Sequence, residues 1–363
     1  FPIAYAKMVF KDYEFLEEQL AITYSEENWY CFVTDIKSPA SFRRNFVRLS
    51  SCLPNVVLAN VDYNMDSAGH YGNDASVDCL TRLKDKPWNY VILLQNHDIM
   101  IKSNNEIVEI LKSMNGADDI ELMSCPEPRC DDLTANMNEL GLCPLNMSTE
   151  KTEACMNSTV TFGKGNVQAS LSRRTALYMV NNINTTTYLQ VLNAQKYGKD
   201  EVFLQTLIVN EEIGMPASYP SRCMPIYSVS LTHPMITMTR LTVWMQQDAN
   251  FCKSGMERHG ICVLGVEELP FLASSDYIMA NKMLPSMDYA AISCIGELLY
   301  NRTWFNNTEN LLNMTAYANL PMVRLNEWRR TNPDASTEEF ECPVPTKLYN
   351  TYNTYATYYN TFF

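Results

Sequence analysis

The sequence predicts an α/β protein with a Rossmann-like, nucleotide-binding half and a set of disulfides. Strand-like and helix-like segments alternate through the first ~115 residues, the pattern of βαβ units. Acidic residues fall at the ends of two of those strands, and twelve Cys are spread along the 363 residues.

The elements follow in short steps. Ile3 to Phe10 reads as a buried strand and Lys11 to Thr23 as an amphipathic helix. Trp29 to Asp35 is a second strand, Ser41 to Leu49 a second helix and Val56 to Val61 a third strand. Asp74 to Leu83 reads as helix, Tyr90 to Leu94 as a strongly apolar strand, and Asn105 to Met114 as another helix. Ligands of open α/β sheets sit beyond the carboxyl ends of the strands, where Asp35 and Asp98 fall. For either acid alone, a plain turn or cap role is the competing reading.

From 116 to 160 the periodicity fades. Cys125, Cys130, Cys143 and Cys155 lie among Pro, Asn and Asp, which predicts a disulfide-tied loop. Strand and helix signals return at Thr159 to Ser172 and at Arg174 to Val180. A helix predicted to begin near Asp200 runs through Phe203, Leu204, Leu207 and Ile208 with one apolar face. Residues 257 to 300 form a final block. The stretch Tyr349 to Phe363 is Tyr-, Asn- and Thr-rich and uncharged, a low-complexity tail.

A formal net charge of −13 repels phosphate backbones, so nucleic acid is excluded as a partner. Any phosphate the protein binds must be held by a few local cations. The Cys spacing does not form paired CxxC motifs, so a zinc ribbon does not fit. Six N-x-[S/T] sequons, at Asn146, Asn157, Asn184, Asn301, Asn306 and Asn313, join the Cys count in pointing to an oxidising, glycosylating compartment. No apolar run reaches the ~18 residues of a membrane span. The chain opens at Phe1 rather than Met, and an upstream signal or anchor is expected.

Several stretches, in order, carry a resemblance. They are Phe1-Pro2-Ile3-Ala4-Tyr5, Trp29-Tyr30-Cys31 through Asp35-Ile36-Lys37-Ser38-Pro39, Cys52-Leu53-Pro54-Asn55-Val56 with Cys79, and Asn104-Asn105-Glu106-Ile107-Val108. Lys199-Asp200-Glu201 follows, then Cys262-Val263-Leu264-Gly265, Ala280-Asn281-Lys282 and Ala291-Ile292-Ser293-Cys294. Together they resemble the core-2/I-branching β1,6-N-acetylglucosaminyltransferase family (glycosyltransferase family 14) over roughly residues 1 to 300.

The resemblance implies a variant GT-A fold and an inverting, metal-independent transfer. The sugar, GlcNAc, would pass from a UDP-sugar to the 6-hydroxyl of an acceptor glycan, on glycoprotein O-glycans. No cofactor is implied. Location would be the Golgi lumen behind a type II anchor upstream of this chain, with a secreted form as a variant. In these terms residues 1–115 are the nucleotide-binding half, 116–160 a Cys-rich insert, 161–300 the acceptor and catalytic half, and 301–363 an extension.

Inversion by direct displacement needs one base to take the proton of the attacking hydroxyl. The family's catalytic Glu matches Glu201, which the pattern puts in the first turn of a helix, where the dipole favours a carboxylate. Without the resemblance, Asp200 and Glu201 read simply as acids complementing a helix start. No Asp-x-Asp is present to hold a metal; Asp119-Ile120-Glu121, in an expected loop, comes nearest. Cations must then neutralise the leaving diphosphate. Lys282 matches the family's lysine, while the position of its arginine holds His259, with Arg258 one residue earlier, and the choice between the two stays open.

Asp35 matches the uridine-contacting Asp, and Trp244 an aromatic that packs on the acceptor, with a buried core Trp as its alternative. The family's Gly-x-Asp reads Asn96-His97-Asp98, and Phe10 replaces the His closing the first strand. Those departures open two other readings: a UDP-xylose or UDP-glucose transferase, and a non-catalytic carbohydrate-binding protein. By the family's pattern Cys31 pairs with Cys79 and Cys252 with Cys262. Cys52 and Cys294 lack their usual partners and must pair differently or lie free.

Overall fold

The computed structural model describes residues 1–343 apart from 127–128, 131–132, 134, 146–147, 198, 226–236 and 306–311. The sequons Asn146 and Asn306 and the tail Tyr349 to Phe363 lie outside the described residues.

The strands are β1 Ile3–Val9, β2 Trp29–Thr34, β3 Val56–Leu58, β4 Tyr90–Leu94, β5 Ile99–Met100, β6 Asp119–Ile120, β7 Met123–Ser124, β8 Gly163–Lys164, β9 Ala169–Ser172, β10 Arg240–Thr242, β11 Glu257–Arg258, β12 Ile261–Cys262 and β13 Met279–Asn281. The main sheet has the order β3-β2-β1-β4-β9-β6. Its first four strands are parallel, and β9 runs antiparallel to both β4 and β6.

Helices cover both faces, which is why β1 and β4 are buried along their whole length and read as apolar runs. Ala4, Ala6 and Met8 point to one face, against Ala75, Cys79 and Leu80 of the helix Gly72–Leu83 and Leu204, Leu207 and Ile208 of the helix Phe203–Val209. Ile3, Tyr5 and Val9 point to the other, against Phe15, Leu16 and Leu20 of the helix Tyr13–Thr23 and Ile292, Ile295 and Leu299 of the helix Tyr289–Trp304. This is the period-2 alternation of a strand resolved into two cores.

A smaller sheet, β10-β13-β5, and the hairpin β11–β12 flank the main one. Five disulfides brace the fold: Cys31–Cys79, Cys125–Cys130, Cys143–Cys155, Cys223–Cys342 and Cys252–Cys262. Cys52 and Cys294 are free and exposed.

Several expectations need correction. The third strand stops at Leu58, because the Asn60 backbone N–H is captured at 2.9 Å by the Asp78 carboxylate. The stretch 116–160 is more than a loop: it supplies β6 and β7 and the helices Met137–Leu140 and Thr149–Asn157. Asp119, expected in a loop, lies in β6 and accepts bonds at 2.9 and 2.6 Å from the Met238 and Thr239 backbone, a partner no local pattern reveals. The helix expected from Asp200 begins only at Phe203, with Val202 as its N-cap. Beyond residue 300, Tyr317, Leu320, Met322, Val323 and Leu325 are buried, and Cys342 is tied back to Cys223.

Candidate functional site

The carboxyl ends of β1, β2 and β4 meet at one cleft. Strand order places the topological switch between β1 and β4, the crevice where open α/β sheets bind ligands. Phe10 follows β1, and its backbone N–H donates at 2.7 Å to Asn96 Oδ1 beyond β4, pinning the two strand ends together. His97 stands edge-on to the Phe10 ring and bonds Asp12 at 2.8 Å through Nε2; burial lowers its proton affinity. Asp35 follows β2 and is buried, with its carboxylate taken by the Lys37 N–H at 2.8 Å and by Lys37 Nζ at 3.2 Å.

The cleft has a volume of about 640 Å³. Asp35, Glu201, Trp244, Arg258, His259 and Lys282 all line it. Asp98 does not: it is buried, its carboxylate receiving Gln168 Nε2 at 2.9 Å and Asn281 Nδ2 at 2.7 Å. It serves the turn, the plainer of its two sequence readings.

Glu201 lies in the turn ahead of the helix Phe203–Val209, so the first-turn dipole argument does not apply. Side-chain cations hold it instead. Lys164 Nζ is 2.9 Å and Arg129 Nη1 3.3 Å from Oε2. Its own carbonyl accepts from the Gly165 N–H at 2.9 Å, tying the turn to the end of β8. Burial, followed by the neighbouring Glu201 charge, pushes the Asp200 carboxyl up to about 6. Glu121, behind Lys164, is pushed by burial up to about 7.

A second group of cations gathers around Lys282. Lys282 follows β13, and burial together with the fields of Arg240 and Arg258 brings its ammonium down to about 8. It donates to the Arg258 carbonyl at 3.3 Å. His259, at φ 56°, turns the hairpin that the Cys252–Cys262 bridge closes, so Arg258 and His259 both face the cleft. Arg240, on β10, is braced by Asn166 Oδ1 at 2.7 Å and Asn281 Oδ1 at 2.8 Å, while its Nε is buried with no partner among the described residues. Sequence reasoning missed Arg240, Arg129 and Lys164; the Gly163-Lys164-Gly165 run was the one local signal available. Trp244 is 39% exposed and faces the cleft rather than the core.

Among the described residues, the only potential metal-ligand group is Cys252, Cys262 and Glu268. Its thiols are spent in a disulfide, and Glu268 accepts backbone N–H groups of Lys253, Ser254 and Gly265. That group does not fit a metal ion.

Residues 3–273 match the model of the family described as core-2/I-branching enzyme. The chain belongs to that family. It is 28% identical over 308 residues to human β-1,3-galactosyl-O-glycosyl-glycoprotein β-1,6-N-acetylglucosaminyltransferase 3, covering 82% of this chain and 68% of the relative. The Danio rerio protein with the same name and the number 4 is 29% identical over 309 residues, covering 82% and 70%. A bovine herpesvirus 4 protein of the same name, unnumbered, is 27% identical over 312 residues, covering 83% and 68%. The chain thus spans about two thirds of the length of these relatives. Among solved structures, S. aureus TarS 1–349 overlaps 91% of this chain and 87% of its own at 12% identity and a TM-score of 0.30, a likeness too slight to bear on the argument.

For a core-2/I-branching enzyme, the arrangement has a chemical logic. The Glu201 carboxylate and the cations Arg240, Arg258 and Lys282 line one cleft, together with the exposed Trp244 indole. The protein is acidic overall, yet Arg240, Arg258 and Lys282 lie close enough in the cleft to repel one another, the local cation set that binding a phosphate in such a chain requires.

Proposed function

We propose that this chain is an inverting, metal-independent glycosyltransferase. It moves GlcNAc from a UDP-sugar to the 6-hydroxyl of an acceptor glycan, on glycoprotein O-glycans, and forms a β1,6 branch. One observation supports this above the rest: Glu201 and Lys282 line one cleft. Glu201 serves as the base that strips the attacking hydroxyl. Lys282, with Arg258 or His259, meets the charge that develops on the leaving diphosphate, the part a metal ion otherwise takes. Asp35 holds the uridine and Trp244 stacks on the acceptor sugar. The enzyme works in the Golgi lumen behind an upstream type II anchor.

A second reading keeps the machinery and changes the donor to UDP-xylose or UDP-glucose. It is favoured by Phe10, whose ring lines the cleft and offers no hydrogen bond. The test is UDP release from a panel of UDP-sugars with a glycan acceptor and EDTA. Release from UDP-GlcNAc supports the first reading, and release from another donor alone the second. Release that needs added Mn²⁺ overturns metal independence, and no release from any donor leaves a carbohydrate-binding protein.

A further inference from the structure

Three large aromatic side chains stand in solvent where the helix Tyr289–Trp304 ends: Tyr300 is 54%, Trp304 70% and Phe305 68% exposed. They form one patch, with the Tyr300 centroid 6.4 Å from that of Trp304 and 6.0 Å from that of Phe305. Contiguous exposed apolar surface of this kind marks a contact. The rings cannot turn inward, because the opposite face of the helix is committed. Ile295 and Leu299 sit in the core, and Arg302 pairs with buried Glu106 at 3.6 Å and donates to the Ala273 carbonyl at 2.6 Å.

A sequon, Asn301-Arg302-Thr303, falls in the same last turn of the helix as these rings. Helical spacing sets Asn301 one turn from both Trp304 and Phe305, and its carbonyl accepts the Phe305 N–H at 3.0 Å. Among the described residues no hydrogen bond holds the Asn301 side-chain amide. The sequon at Asn313 differs: its Oδ1 caps the Ala316 N–H at 3.1 Å and its Nδ2 donates to Asp276 at 3.4 Å.

We infer that an N-linked glycan on Asn301 covers this patch, with its first N-acetylglucosamine laid against the Tyr300, Trp304 and Phe305 rings. The link forms between Asn301 Nδ2 and the sugar C1. The bond broken joins C1 to a lipid-linked diphosphate donor, and the amide proton leaves with the phosphate. The C–H face of a pyranose is apolar and weakly positive, which suits the negative face of an aromatic ring. A bulky glycan rooted beside these rings also keeps a second protein or a bilayer from seating there. The inference is independent of what the cleft catalyses.

The test is the chain made in a glycosylating eukaryotic host, compared with Thr303→Ala from the same cells. Glycopeptide mass spectrometry should find Asn301 occupied. Hydroxyl-radical labelling of Trp304 and Phe305 should be several-fold lower in the glycosylated protein than in Thr303→Ala. Trimming the glycan to one N-acetylglucosamine should preserve most of that protection. Should Thr303→Ala fail to fold, enzymatically deglycosylated wild type supplies the comparison. An unoccupied Asn301, equal labelling with and without glycan, or protection lost on trimming each overturns the inference.

Discussion

Lys164 Nζ stands 2.9 Å from Glu201 Oε2, and Arg129 reaches the same oxygen at 3.3 Å. Both contacts fall on one carboxylate oxygen, so they set the orientation of the group without occupying the other oxygen. A base held this way must lose its function when its charge is removed and its shape kept. Glu201→Gln is expected to lower kcat by about 10²–10⁴-fold, the usual worth of a positioned base. UDP affinity by titration calorimetry should stay within about twofold, since the residue acts on the acceptor side. Turnover at the wild-type rate would remove Glu201 from the mechanism.

Lys282 gives the cleft a pH limit. Burial, then Arg240 and Arg258, lower its ammonium to about 8. The charged form binds diphosphate, so once the terminal phosphate of UDP is ionised, above about pH 7, affinity should fall as pH rises through the Lys282 value, by up to about tenfold per unit. Lys282→Ala should abolish the inflection and weaken binding about tenfold to a hundredfold, the range of a charge-assisted hydrogen bond. Arg240→Gln removes one repelling neighbour and should move the inflection upward. Calorimetry between pH 6 and 9.5 reads all three, and an unchanged inflection in Lys282→Ala assigns the titration elsewhere.

The sheet was legible because its strands are buried on both faces: Tyr90 to Leu94 reads as one apolar run and folds as β4 with those same bounds. Asp35 was legible as a strand-end acid. Arg240 and Arg129 were not, since each is a single cation without a motif, and Lys164 had only its flanking glycines; the tertiary arrangement alone brings the two arginines to the cleft and Lys164 to Glu201. Asp200 and Glu201 misled for a physical reason. Acids normally mark a first helical turn, but here they form the turn ahead of it, where Asp200 packs so closely under Gly69 that any Cβ there would collide with its carboxylate. Asp119 misled in the same way, because its partners lie at Met238 and Thr239.

The Cys223–Cys342 bridge closes a separation of 119 residues and fastens the C-terminal segment to the main body. Arg222 helps, donating to the Thr337, Glu338 and Phe340 carbonyls at 2.8, 2.9 and 2.7 Å. A bridge over so long a separation restricts the unfolded chain, and its removal typically costs about 2–4 kcal/mol. The double variant Cys223→Ser/Cys342→Ser should therefore melt several degrees lower in calorimetry. Hydrogen exchange should rise first around residues 337–342, where the Arg222 bonds and the packing of Phe340 on Trp328 remain to hold the chain. A melting temperature equal to wild type would make the bridge dispensable.

His70 joins two loops at the cleft rim. Its Nδ1 is 2.7 Å from Asp66 Oδ2 and its Nε2 2.7 Å from the Gln195 carbonyl. Both partners are acceptors, so only the doubly protonated ring donates to both at once. The Asp66 bond, then the Gln195 bond, raise its proton affinity above the ordinary value near 6.5, with Asp200 adding a smaller attraction. For a raised group the sign is fixed: the link is fully present below the unfolded value and is lost as pH rises through the higher folded one. Hydrogen exchange of residues 66–72, corrected for intrinsic rates, should thus be slower at pH 6 than at pH 8. His70→Gln should abolish that difference and slow transfer, because the loop it releases carries Gly69, which packs on Asp200 beside Glu201. If the variant keeps the wild-type pH dependence, the imidazolium is not what ties the rim together.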